Sequence, residues 1–180
     1  MKGFVREDTY LSLCGLNCGL CPMRLGNYCG GCGVDNQSCK LARCSLTKGH
    51  VQHCFQCMAY PCEKYEQVDA YDSFITHRRQ KADMEKARAI GPEAYQQEQK
   101  EKVAILNELL VNYNDGRRKT FFCVAVNLLE LPELREALAG IRENPDLPGW
   151  TDKEKSRYAV EALQRIADGR GLELKLRKKP

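Results

Sequence analysis

Ten of the eleven cysteines in this chain lie within residues 14–62, and only Cys123 stands outside that segment. Other apolar side chains are few there and glycine recurs, so the segment cannot bury enough hydrocarbon to offset the roughly 1–2 kcal/mol of backbone entropy that ordering each residue costs. Cross-links must replace the missing core. Disulfides are one form of cross-link, but they persist in oxidising compartments. Residues 1–12 scatter charge without the apolar run of a secretory leader, and nothing in the sequence approaches the roughly eighteen consecutive apolar residues of a membrane span. The expected setting is a reducing cytoplasm with no membrane attachment. Thiols persist there, and a Cys-dense segment reads as a set of metal ligands.

Spacing supports that reading. Three C-x-x-C pairs, Cys18/Cys21, Cys29/Cys32 and Cys54/Cys57, each put two sulfurs on one tight loop, from which both can reach a single ion at about 2.3 Å. Glycine inside or just after a pair, as in Cys29-Gly30-Gly31-Cys32-Gly33, lets backbone amides turn toward the thiolates. Cys14, Cys39, Cys44 and Cys62 supply looser partners. A closed structural zinc site takes four ligands, so the ten complete two zinc sites with two to spare. One partition gives Cys18, Cys21, Cys29 and Cys32 to one ion and draws the second set from Cys39, Cys44, Cys54, Cys57 and Cys62. Interleaved pairing fits the spacing equally well. His50 and His53 could replace a thiolate, although a histidine between Cys pairs is more often a solvated loop residue. Structural zinc supplies an apparent ~10–16 kcal/mol in small peptides, against roughly 5–15 kcal/mol of net stability for a whole domain. Metal would therefore decide whether such a segment folds.

Beyond Cys62 the pattern turns helical. Val68, Tyr71, Ile75, Ala82 and Ala89 keep mainly three- and four-residue multiples, which predicts a helix stopped by Gly91-Pro92. Pro92 opens a second helix carrying Val103, Leu106, Leu109, Leu110 and Tyr113, which ends at the turn Asn114-Asp115-Gly116. Residues 117–130 are almost continuously apolar, the mark of a helix buried on most sides, with Cys123 as a core residue and no histidine nearby to activate it. Leu131-Pro132 opens a fourth helix to about residue 142, and Pro145 and Pro148 mark a loop. Thr151 with Glu154 forms a capping box for a last helix that ends at Gly169. Leu172, Leu174 and Leu176 alternate with charges as in a short strand or a docked tail. The expected fold is mainly α: a metal-stapled Cys-rich module at residues 1–62, a helical bundle at 63–168, and a basic tail or one short strand at 169–180.

Other chemistries are weaker in the sequence. Cys14, Cys18 and Cys21 have the spacing that ligates three irons of a [4Fe–4S] cluster in radical S-adenosylmethionine enzymes, but that chemistry needs a large scaffold of alternating strands and helices. An ordinary all-Cys [4Fe–4S] protein, acting in electron transfer or sensing, is the alternative to zinc. Gly30, Gly31 and Gly33 lead into Val34-Asp35-Asn36 and not into a helix, and no G-K-[S/T] occurs, so no nucleotide-binding loop is present. Catalysis would need a convergent acid, base and nucleophile, and the sequence does not present that set.

At the turn before the third helix, Arg117, Arg118 and Lys119 form a candidate anion site, where they and the first free amides would face a phosphate or carboxylate. A solvated turn capped by Asp115 is the simpler account. A helix-turn-helix for DNA is disfavoured, because the apolar run after the turn leaves no polar face for a groove. The formal charge of +4 comes from the tail, where Arg170, Lys175, Arg177, Lys178 and Lys179 lack aromatic interleaving, and gives no ground for a nucleic-acid partner. A four-thiolate zinc site carries about −2, so two would bring the loaded protein near neutrality.

The run Cys14-Gly15-Leu16-Asn17-Cys18-Gly19-Leu20-Cys21-Pro22, then Cys29-x-Gly31-Cys32, then Cys54-x-x-Cys57 and Pro61-Cys62, resembles a prokaryotic Cys-rich family known as a domain of unknown function and commonly labelled zinc-binding. The likeness continues through His77-Arg78, Ile90-Gly91-Pro92-Glu93, Gln99-Lys100 and the segment from Tyr113 to Cys123, and covers roughly residues 10 to 141. It implies a metal-binding Cys module on a helical remainder, and no reaction. The expected role is an interaction module for a protein partner, held by two Cys-ligated zinc ions.

Overall fold

The computed structural model describes residues 3–34 and 38–178. Among them the fold is mainly helical: α1 (Pro22–Leu25), α2 (Lys40–Thr47), α3 (Gln80–Ile90), α4 (Pro92–Asn112), α5 (Lys119–Leu128), α6 (Leu131–Arg142) and α7 (Asp152–Gly169). Short 3-10 turns punctuate them at Cys18–Leu20, Cys54–Gln56, Glu63–Tyr65 and Leu147–Gly149. The β-structure described is one isolated antiparallel bridge, Leu11 to Asn17. Residues 170–178 form no strand, and the tail is docked by hydrogen bonds instead. Asp35 and Asn36 after the glycines, and Lys179 of the tail, lie outside the described residues.

The chain divides into two compact units, Met1–Lys100 with Arg177–Pro180, and Glu101–Leu176. The division falls inside α4 and not after Cys62, where composition changes. Composition marks where the Cys-rich sequence ends, whereas packing decides what that sequence leans on. Residues 63–100 belong with the cysteines because α3 and the start of α4 supply the apolar surface that the Cys-rich segment lacks. Leu11 is fully buried against Ala87 and Tyr95, with Phe55 beside them. Phe4, Leu13 and Ala42 form a second small core, whose outer layer includes Cys32, Cys39 and Cys54.

The helix expected from Val68 onward begins only at Gln80. The Asp72 carboxylate accepts the His77 amide at 2.8 Å, and the His77 ring nitrogen Nδ1 lies 2.8 Å from the Val68 carbonyl. Such local side-chain bonds offer the backbone an alternative to the helical ladder, and here they win. From Gln80 the charged face is solvated, while Asp83, Met84 and Ala87 point inward.

In the second unit, α5 is buried from Phe122 to Leu128 without a break, as the apolar run requires. Cys123 is 2% exposed within it. Asn127, the polar exception, donates to the Cys123 carbonyl at 2.8 Å. Against α5 and α6 packs α7, through Ala159, Leu163 and Ala167. Its start is the expected capping box, with Thr151 Oγ1 accepting the Glu154 amide and the Glu154 carboxylate accepting the Thr151 amide. No helix among the described residues is long and apolar enough to cross a membrane.

Candidate metal centre

A glycine and an asparagine shape the loop that carries Cys14, Cys18 and Cys21. The Ser12 amide bonds to the Leu16 carbonyl at 2.8 Å and the Gly15 amide to the Ser12 carbonyl at 3.0 Å, a reversal that needs Gly15 at φ +95°. A Cβ on Gly15 would stand 2.4 Å from the Gln80 carbonyl oxygen. Asn17 is buried, donating to Asp83 Oδ2 at 2.8 Å and accepting the Tyr95 hydroxyl at 3.1 Å. The Cys14 carbonyl accepts both the Tyr65 hydroxyl, at 2.9 Å, and the Gln80 amide nitrogen, at 3.0 Å. None of these supports is visible in the sequence. Asn17 stands between Cys14 and Cys18, but no local signal marks its buried partners.

All eleven cysteines lie among the described residues, and none is in a disulfide. Several of the ten accept hydrogen bonds at sulfur, the arrangement that stabilises thiolate over thiol. Gly31 donates its amide to Cys29 at 3.3 Å and Leu13 donates to Cys32 at 3.5 Å. The Cys32 and Leu16 amides do the same for Cys18 and Cys14. Ser12 Oγ lies 3.2 Å from Cys14 Sγ, and the Lys64 ammonium 3.9 Å from Cys44 Sγ.

Burial and mutual repulsion oppose ionisation. Burial first, then the neighbouring Cys32 and Cys39, push the Cys14 thiol up to about 11, against Ser12. Burial with Cys32, Cys14 and Cys21 pushes Cys18 to about 12. Cys54 is raised by burial and by Cys14, Cys62, Cys44 and Cys39, and Cys32 by burial against the pull of Arg6. These neighbourhoods describe two gatherings that meet at Cys14 and Cys39. One surrounds Cys18. The other surrounds a cavity of about 30 Å³ walled in part by Cys44, Cys54, Cys57 and Cys62, with Leu13 and Tyr65 among its other lining residues. A cation among such groups reverses the electrostatics, because thiolates that repel one another are then held by the ion.

Among the described residues, no three His, Cys, Asp or Glu side chains stand in an arrangement ready to hold an ion. Neither histidine named with the cysteines joins them at the cavity. His50 is exposed with φ +59°. His53 is buried, its ring 3.4 Å from Arg6 and stacked on Phe55, and burial together with the Arg6 charge holds it down at about 4.

At the candidate anion site the amides of Gly116, Arg117 and Arg118 are already occupied. Asn114 Oδ1 accepts the amides of Gly116, at 3.2 Å, and Arg118, at 3.0 Å, while Asp115 Oδ1 accepts that of Arg117 at 3.0 Å. Arg118 is the N-cap of α5 and Lys119 its first residue, so the three cations flank a turn closed by its own side chains. In the tail, Arg170 pairs with Glu133 at 2.8 Å and Arg177 with Asp72 at 3.2 Å.

Comparison with family models, with curated proteins and with solved structures finds no match to this chain.

Proposed function

We propose that the chain is a metal-binding protein whose Cys-rich segment holds two zinc ions and forms an interaction module for a protein partner in the cytoplasm. The observation that carries this reading is the convergence of Cys44, Cys54, Cys57 and Cys62 on one small apolar cavity. Cys54 and Cys57 share one loop, whereas Cys44 and Cys62 reach the same cavity from up to thirteen positions away in sequence. A tetrahedral thiolate site needs four sulfurs at about 2.3 Å from one ion. The second ion would be held around Cys18, drawing on Cys14, Cys21, Cys29, Cys32 and Cys39; the amide-to-sulfur bonds at Cys14, Cys18, Cys29 and Cys32 suit bound thiolates. The motif resemblance to the Cys-rich zinc-labelled family supports the same conclusion.

Metal content tests the proposal. Elemental analysis of anaerobically purified protein is expected to give two zinc per chain, and one after Cys57→Ser. Protein that is folded without zinc would sink it. A brown protein absorbing at about 400 nm would instead place the chain among all-Cys iron–sulfur proteins.

A further inference from the structure

The two gatherings of sulfur in the first unit differ in what donates to them. Around Cys18 the donors are main-chain amides: Gly31 to Cys29 at 3.3 Å, Leu13 to Cys32 at 3.5 Å, and the Cys32 and Leu16 amides to Cys18 and Cys14. Fixed amides draw electron density from a thiolate, and its nucleophilicity falls with its basicity. Arg6 also reaches Cys32, but its guanidinium is buried and held on the carbonyls of Gln52, at 3.0 and 2.6 Å, and of Asp8 and Leu11, at 2.9 and 2.7 Å. A guanidinium, moreover, does not give up its protons.

Among the described residues no amide donates to the sulfurs of Cys44, Cys54, Cys57 or Cys62; the donor there is the Lys64 ammonium, 3.9 Å from Cys44 Sγ. Cys44 is half-buried on α2, and Lys64 is exposed in the 3-10 turn Glu63–Tyr65 that directly follows Cys62. Lys48, also exposed, lines the same cavity. An oxidant arriving from solvent therefore meets a sulfur with an ammonium beside it. That ammonium rides on a flexible four-carbon stem and has three protons, so it can turn from sulfur toward an incoming oxygen.

We infer, on the reading that Cys44, Cys54, Cys57 and Cys62 hold zinc, that hydroperoxides regulate this site: Cys44 is oxidised first, with Lys64 assisting, and a disulfide within the set releases its ion while the ion around Cys18 stays. The Cys44 thiolate attacks one oxygen of hydrogen peroxide. The S–O bond forms as the O–O bond breaks, and the departing hydroxide takes a proton from Lys64 and leaves as water. A second thiolate of the set then attacks the sulfenic sulfur, forming the S–S bond and breaking the S–O bond, and that hydroxide leaves as water with a proton from solvent. Two thiolates have lost two electrons and the peroxide has gained them. Only two thiolates of the four remain as ligands, too few to retain the ion.

Hydrogen peroxide is the probe. The full-length protein, its zinc content measured beforehand, is treated with a slight excess of peroxide while a chromogenic chelator reports released zinc and non-reducing peptide mapping locates the disulfide. One zinc per chain is expected to leave, with Cys44 joined to Cys54, Cys57 or Cys62, and a thiol reductant with added zinc is expected to restore the site. Lys64→Met is expected to slow peroxide-driven release about threefold relative to release by the chelator alone, the rate equivalent of one exposed ion contact. A merely structural role for Lys64 would move both rates together. In protein that starts with two zinc per chain, no release, release of both ions together, a first disulfide outside the set, or an undiminished relative rate in Lys64→Met overturns the inference alone. Protein isolated without zinc overturns the two-zinc reading and the inference with it.

Discussion

Gly15 and Asn17 hold the first cysteine loop in place without bearing a sulfur. At φ +95° any L side chain on residue 15 is strained, and the Gln80 carbonyl 2.4 Å from its Cβ position is backbone that cannot swing aside. Gly15→Ala is therefore expected to destabilise the protein by about 2 kcal/mol or more, read as a lower urea midpoint at unchanged slope. Asn17→Ala removes the donor to Asp83 and the acceptor of the Tyr95 hydroxyl, leaving two buried groups unsatisfied at about 1–3 kcal/mol each. Tyr95→Phe, which removes only the hydroxyl, should cost less than Asn17→Ala in the same denaturation experiment. The sequence shows that residue 15 is glycine and that cysteines flank residue 17. What makes either indispensable is a partner more than sixty residues away in α3 or α4, and no local pattern encodes such a distance. The cysteines were legible for the opposite reason: chemistry that needs two sulfurs on one loop writes itself into local spacing.

The same division between local and distant causes runs through the elements. The bounds of α6 and α7 were readable because their caps are built from adjacent residues, Pro132 in the first turn of α6 and Thr151 with Glu154 at the start of α7. Thr151→Ala should cost about 1 kcal/mol, visible as a lowered thermal midpoint with the far-ultraviolet spectrum intact. The helical spacing of Val68, Tyr71 and Ile75 does not make residues 68–79 a helix, because the determinants of their conformation, Asp72 and His77, are polar. Asp72 also receives the amide of Arg177 at 2.8 Å. Burial would raise its carboxyl, but the amides of His77 and Arg177 and the Arg177 guanidinium outweigh it and hold the group below the usual carboxylate range. A depressed carboxylate contributes its full stabilisation above its unfolded value, near pH 4, and loses it as pH falls through the folded one. Protection of the His77 and Arg177 amides from exchange should fall on acidification through that window. In Asp72→Asn it should be lower at neutral pH and nearly independent of pH.

At the scale of the whole chain, the two units rest on different sources of stability. Glu101–Leu176 has an apolar interior in which Phe122, Leu129, Leu134 and Leu163 are almost wholly enclosed. Phe122→Ala there should cost about 3–5 kcal/mol, the usual penalty for emptying an aromatic core position. The described residues of Met1–Lys100 include two small apolar clusters, and cysteines form part of the outer layer of one of them. If zinc supplies what those clusters do not, at the apparent ~10–16 kcal/mol seen in small peptides, the units must respond differently to its removal. Treating the full-length protein with a chelator under reducing conditions should abolish exchange protection across residues 14–62 while α5, α6 and α7 keep theirs. Far-ultraviolet dichroism should then fall only in part, because those three helices carry much of the helical signal. Zinc added back in slight excess should restore protection in residues 14–62. Loss of protection everywhere at once would mean that the second unit depends on the metal as well, and no loss anywhere would mean that the cysteines stabilise the fold as thiols alone.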